Sequence, residues 1–124
     1  MDDAKESILT SIKKLVGITE EYNHFDSDII MFINSVFLDL SQIGVGSGDF
    51  QIVDDGDLWT DYLPEGELLS AVRTFVYLKV KLLFDPPSNS GAVESINRQI
   101  DKLEWRINIE VDRGQDEEEE NQNG

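Results

Sequence analysis

The sequence predicts an all-α fold, a small bundle of four main helices around a central helix, with a short irregular or β-hairpin-like insertion between the second and third. Three observations lead there. Four segments repeat apolar residues at spacings of three and four, the period of one helix face. One of them, residues 68–84 (LLSAVRTFVYLKVKLLF), is apolar around well over half its circumference, where an ordinary surface helix shows a stripe of ~100°. Such a helix has to be covered on several sides. Only residues 50–53 alternate with the two-residue rhythm of a strand. With 124 residues, 40% apolar content and two tryptophans, the chain is long and apolar enough to bury one core.

The first helix is expected over residues 4–16, capped by Asp2 or Asp3, with Glu6 placed as in a carboxylate version of the capping box. Ile8, Ile12, Leu15 and Val16 form its stripe, and Gly17 supplies the left-handed residue that ends it. Asp26, Ser27 and Asp28 open the second helix. Its residues Ile29, Ile33, Val36, Phe37, Leu40 and Ile43 share one arc, and Gly44 closes it. Residues 44–48 (GVGSG) read as a loop, since they lack the spacing and the following Lys-Ser/Thr of a phosphate cradle. Residues 50–53 read as a short edge strand or hairpin arm before the turn at Asp54, Asp55 and Gly56. Leu58, Trp59, Tyr62 and Leu63 make one short helical turn ahead of Pro64. The central helix stops at Asp85-Pro86-Pro87, because proline has no N–H for the ladder and pushes its predecessor away from helical ψ. A last helix, capped within residues 88–90, covers about residues 91–111 with Val93, Ile96, Ile100, Leu103, Ile107 and Val111 as its seam. The chain therefore divides into a helical domain, 1–113, and an acidic tail, 114–124. The tail (GQDEEEENQNG) has no apolar residue and is expected to be disordered.

Charge and composition exclude several classes of function. The formal charge is −16, from 26 acids and 10 bases; without residues 114–124 the body still carries 21 acids and 10 bases, a net −11. That surface repels phosphate backbones at close range, so ordinary nucleic-acid binding is not expected, although DNA passing by without being gripped is compatible with it. The absence of cysteine removes disulfides and thiolate metal sites and fits cytosolic folding. MDDAKES has acids where a signal peptide has lysines, no apolar h-region follows, and no segment is expected to span a membrane. A single histidine, His24, cannot build the usual zinc site. The aspartates at 54, 55 and 57 fail as an EF-hand: with Gly56 as the loop glycine, Gln51 and Val53 fall at ligand positions and Tyr62 where a bidentate Glu belongs. The serines lie in or near helices without a His-Asp set. No catalytic, cofactor-binding or metal residue is assigned, and an enzyme is not expected.

What remains is a set of side chains suited to contact with a neighbour. Met31 and Leu38 fall together opposite the main arc of the second helix; scattered surface hydrophobes and a subunit contact explain them equally well. On the last helix, Arg98, Lys102 and Arg106 recur every four residues on roughly the far side from the seam, with Trp105 beside them. An indole turned from its own core, within the one basic row of an acidic chain, points to an acidic partner. The bland alternative is a solvated face with the indole lying over Arg98 or Lys102. Lys79 sits in the middle of the central helix's apolar arc, where an uncompensated ammonium is costly. The helix dipole and a snorkelling stem ease it, and Asp85 or an acid from another helix or subunit is expected to pair it. Arg73, Lys79 and Lys81 are accordingly the points on this helix where the bundle would meet a neighbour.

Three stretches resemble the tailed-bacteriophage head–tail connector family, also called head-completion or adaptor proteins: residues 26–36 (DSDIIMFINSV), residues 71–88 (AVRTFVYLKVKLLFDPPS) and residues 98–105. The combination carries the likeness: an acid-capped helix, a Gly-Val-Gly loop, a tryptophan in a short acidic segment, then VYLKVKLLFDPP and a Glu-Trp-Arg helix, over residues 5–112. The tail departs from the pattern. The resemblance implies a helical subunit of a ring, typically dodecameric, docked beneath the portal protein at the virion head–tail junction, made in the host bacterial cytoplasm and followed by tail-completion proteins. DNA would pass through the hole without specific binding, a role that suits an acidic wall. The competing reading from charge alone is an acidic DNA mimic that inhibits a basic DNA-binding partner.

Overall fold

The helical-period segments fold into five helices: α1 (Ile8–Leu15), α2 (Asp26–Gln42), α3 (Trp59–Tyr62), α4 (Glu67–Phe84) and α5 (Ser90–Asn123). The computed structural model describes residues 6–123, with side chains for 6–114. The all-α expectation holds, and α4 is the hub, packing against α5 and against α2 and α1. Its wide apolar circumference explains this: Leu69, Val72, Phe75, Val76, Leu78 and Val80 are all buried. The helix ends at Phe84, with Asp85 as its C-cap before the two prolines.

Glycine closes α1 and α2 in the same way. Gly17 (φ +91°) and Gly44 (φ +93°) each follow the C-cap in the left-handed region. Ile18 N–H reaches Lys13 O at 2.8 Å and Gly17 N–H reaches Lys14 O at 3.2 Å, while Val45 and Gly44 repeat the pattern on Leu40 O and Ser41 O. These are the paired bonds of a Schellman motif, which satisfy the last carbonyls of a helix.

The start of the chain differs from expectation. The first helix begins at Ile8, not at residue 4, and its N-cap is Ser7, whose hydroxyl accepts from Thr10 N–H at 3.2 Å. The expected caps Asp2 and Asp3 lie outside the described residues. The backbone ahead of α1 is committed elsewhere: Ser7 pairs with Leu58 as an isolated antiparallel bridge, Ile8 N–H donates to Asp57 O, and Trp59 N–H donates to Glu6 O. Leu15, expected in the α1 stripe, is exposed, and Leu9 is buried instead.

The insertion between α2 and α4 takes the irregular form, and no strand forms among the described residues. A side-chain amide replaces the ladder: Asn34 Oδ1 accepts from Ile52 N–H at 2.8 Å, and Asn34 Nδ2 donates to Ile52 O at 3.0 Å. One amide thus supplies both bonds that a strand partner would give. Asp57 Oδ2 accepts from the N–H groups of Val53 and Asp54, and Asp54 Oδ1 accepts from Gly56 N–H. These aspartates make a turn.

The insertion buries an aromatic cluster. Phe37 meets Tyr62 at 4.3 Å and Phe50 at 5.4 Å between ring centroids, and Trp59 stands edge-on to Phe37 at 6.3 Å. The Tyr62 ring also occupies the space beside Gly46, where an added Cβ would lie 2.6 Å from it at φ +68°. Gly46→Ala is therefore expected to cost about 2 kcal/mol, from left-handed strain plus displacement of the ring. Gly17→Ala, at a left-handed site with open space, should cost about 1 kcal/mol. Urea midpoints of the two variants test the difference, and equal midpoints would remove the ring contact from the account.

Asn89 Oδ1 caps α5 by accepting from the N–H groups of Gly91 and Ala92. Its seam packs as expected, with Ile100 and Ile107 buried and Val93, Ile96, Leu103 and Val111 half-buried. The helix then continues past the expected stop near Val111. The tail, residues 114–124, expected to be disordered, carries α5 on as far as Asn123. Glutamate is a good helix former, and no breaker stands within the acidic run. Among the described side chains Val111 is the last to pack against the core.

Candidate functional site

Several polar groups that a reaction would need are committed to holding the fold. Ser11 Oγ accepts from Trp59 Nε1 at 2.9 Å and donates to Ile8 O at 3.0 Å. The Tyr62 hydroxyl is buried without a protein hydrogen-bond partner, and burial pushes its phenol up, so it stays protonated near neutrality. His24 is exposed, its ring stacked edge-on to Phe25 at 4.8 Å. No group of three or more His, Cys, Asp or Glu suited to a metal ion occurs among the described residues. Among them, no helix is long and apolar enough to cross a membrane.

The central-helix cations proposed as contact points are largely engaged within the subunit. Arg73 reaches Glu6 at 3.4 Å and lies 5.2 Å from the centre of the Trp59 ring, tying the chain start, α3 and α4 together. Asp85 pairs with Lys81 at 2.9 Å, not with Lys79. Lys81, in the last turn of α4, stands one i,i+4 step before the C-cap Asp85, a spacing that brings the two side chains together. Lys79 is half-buried with its Nζ 5.4 Å from the Phe75 ring, a cation–π contact one turn back on the same helix.

The buried cation among the described residues is one that periodicity did not single out. Lys13 is 3% exposed, lies 2.8 Å from Asp26 Oδ1 and donates to Glu20 O at 3.0 Å. Asp26 Oδ1 is buried and receives no hydrogen bond of good angle, so the charge of Lys13 is what compensates it. The available signal was Leu9 and Lys13, four residues apart and so on one face of α1.

The remaining groups face outward on two helices. Met31 (60% exposed) and Leu38 (55%) stand on α2, roughly opposite its buried arc. They flank a hollow of about 240 Å³ whose wall also includes Asn34, Ser35 and Phe50. On α5, Trp105 is 68% exposed, and Arg98, Lys102 and Arg106 are exposed as well, with no ion pair to any described residue. Among the described residues no cation lies over the Trp105 ring, so the face is solvated without the indole stacked on Arg98 or Lys102. At 100° per residue, Trp105 and Arg98 point roughly 155–175° away from the α5 seam. Arg106 is rotated toward α4, where it borders a groove of about 830 Å³ with Leu103, Thr74 and Glu67. Both helices pack on α4, and each of the two exposed faces is turned away from its own helix's buried side.

A helical body whose polar interior serves its own packing, and whose unpartnered groups lie on outward helix faces, has the build of an assembly subunit. The family described as phage connector protein matches residues 8–114, and the chain belongs to it. It is thus a bacteriophage head–tail connector of all-α build, a structural component of the virion that works in contact with other phage capsid and tail proteins. No curated protein and no solved structure matches the chain.

Proposed function

We propose that this connector is a ring subunit that docks beneath the portal after packaging and lets DNA pass without specific binding, with no enzymatic role. The host bacterial cytoplasm is where it is made, and the virion head–tail junction is where it acts, between the portal and tail-completion proteins. One observation carries the reading: the unpartnered groups among the described residues collect on two unlike faces, one on α2 and one on α5, as the head-to-tail contact of a ring of identical copies requires. The net charge supports passage of DNA, because a wall that attracted phosphates would retard its movement. Residues 114–124 are an appended segment on this reading, since the family match ends at residue 114.

Negative-stain imaging of capsids that carry the portal but lack this protein is the test. Added protein should form a collar at the portal vertex, a chain ending at Arg113 should do the same, and neither should shift free DNA in a gel. A bare vertex, with salt-sensitive co-purification of a basic DNA-binding protein, would transfer the case to the acidic-mimic reading.

A further inference from the structure

We infer that the two outward faces are the two halves of one contact, with Trp105 of one copy seated in the Met31–Leu38 hollow of the next. This rests on the ring reading and names the surfaces that close it. The occupant of the hollow is a second copy of this chain, and charge argues for it. Residues 15–72 contain 12 acids and no Lys or Arg, so every charged side chain on α2 and the insertion is an acid. Asp28 and Asp39, both exposed, stand on the hollow's helix, and exposed Asp49 precedes Phe50 on its rim. The Trp105 face offers the opposite: Arg98 and Lys102, exposed and unpaired, with Asp101 and Glu104 leaving it a net positive edge from 98 to 106.

Shape agrees with charge. The hollow of about 240 Å³ has Met31, Leu38 and Phe50 in its lining, apolar surface suited to a large aromatic side chain. Its aromatic wall, Phe50, is braced from behind by Phe37 and Tyr62, so the seat is formed before anything occupies it. An exposed tryptophan flanked by arginine is the composition of an interface anchor. Since the two faces are different surfaces on different helices, pairing one with the other is head-to-tail. Repetition then generates a ring or a filament, not a closed dimer.

The absence of native cysteine makes a clean test. Ser35→Cys marks the hollow and Asp101→Cys marks the helical turn before Trp105. On portal-bearing capsids, a short bismaleimide should join the two single variants when mixed and neither when alone. The double variant should give a ladder of multimers. Adding Trp105→Ala, at an exposed site where truncation should leave the circular dichroism spectrum unchanged, should cut the ladder at least about tenfold. Collars without any ladder, or Asp101→Cys linking to itself, would overturn this pairing and leave the connector reading intact. Failure of the unsubstituted chain to form a collar would overturn both.

Discussion

Trp59→Ala is expected to lower the stability of the folded subunit by about 3–5 kcal/mol, the range for emptying a buried tryptophan site. The residue is fully buried and joins three parts of the chain. Its indole N–H donates to Ser11 on α1, its ring edge meets Phe37 on α2, and its face lies under Arg73 on α4. Truncation would remove all three contacts at once, and the surrounding helices could close the space only by moving their backbones. Against a total stability of roughly 5–15 kcal/mol for a domain, that is a large fraction of what holds the subunit folded. Trp59→Phe keeps most of the volume and loses the hydrogen bond, so it should cost about 1–2 kcal/mol. Urea unfolding followed by circular dichroism separates the two, with the slope unchanged between variants. A loss below 1 kcal/mol for Trp59→Ala would mean that the insertion is not part of the cooperative core. Trp105→Ala is the natural control, since an exposed residue away from the core should change stability by no more than about 0.5 kcal/mol.

Trp59 also marks where reading the sequence succeeds and where it stops. That Leu58, Trp59, Tyr62 and Leu63 form a short helical turn follows from local spacing, and so do α2, α4, their closing glycine and prolines, and the exposure of Met31, Leu38 and Trp105. Each of these is decided within about two turns of chain, the range over which periodicity carries information. What escaped it joins residues far apart. The Ser7–Leu58 bridge shortened α1, and the Asn34 amide took the backbone of Ile52 out of any hairpin. No local pattern announces either, because a polar side chain that mimics a backbone partner looks like a surface residue until the fold delivers its target. The same limit governs the candidate surface. Basic residues at helical spacing were visible as a row, but whether an arginine is already occupied depends on acids elsewhere. Arg73 is held by Glu6, and Arg98 is not held.

Asp26→Ala should destabilise the protein by about 3 kcal/mol, and more than Lys13→Met does, because removing one partner of a buried pair is worst when the other cannot reach water. The two partners differ in that respect. The Lys13 side chain is 3% exposed, whereas Asp26 is 30% exposed. Stripping the carboxylate leaves an ammonium enclosed with only the Glu20 carbonyl for company. Stripping the ammonium leaves the buried Oδ1 without its compensating charge, but the Asp26 side chain is still partly open to solvent and sits at the first residue of α2, where the helix dipole favours a negative charge. Lys13→Met should therefore cost about 1 kcal/mol, since methionine keeps the stem's packing and the carboxylate is tolerated. The geometry also explains why the pair is placed here: a cation in the last turn of α1 and an anion in the first turn of α2 each answer the charge of their own helix end, and together they clamp the link between them. The double variant should resemble Lys13→Met alone, because once the ammonium is gone the carboxylate has little left to compensate. That non-additivity, read from urea midpoints of the four proteins, is the diagnostic. Raising the salt concentration should narrow the differences only slightly, as a pair removed from solvent is weakly screened. Additive losses, or a Lys13→Met variant less stable than Asp26→Ala, would show that the contact acts through packing and not through charge.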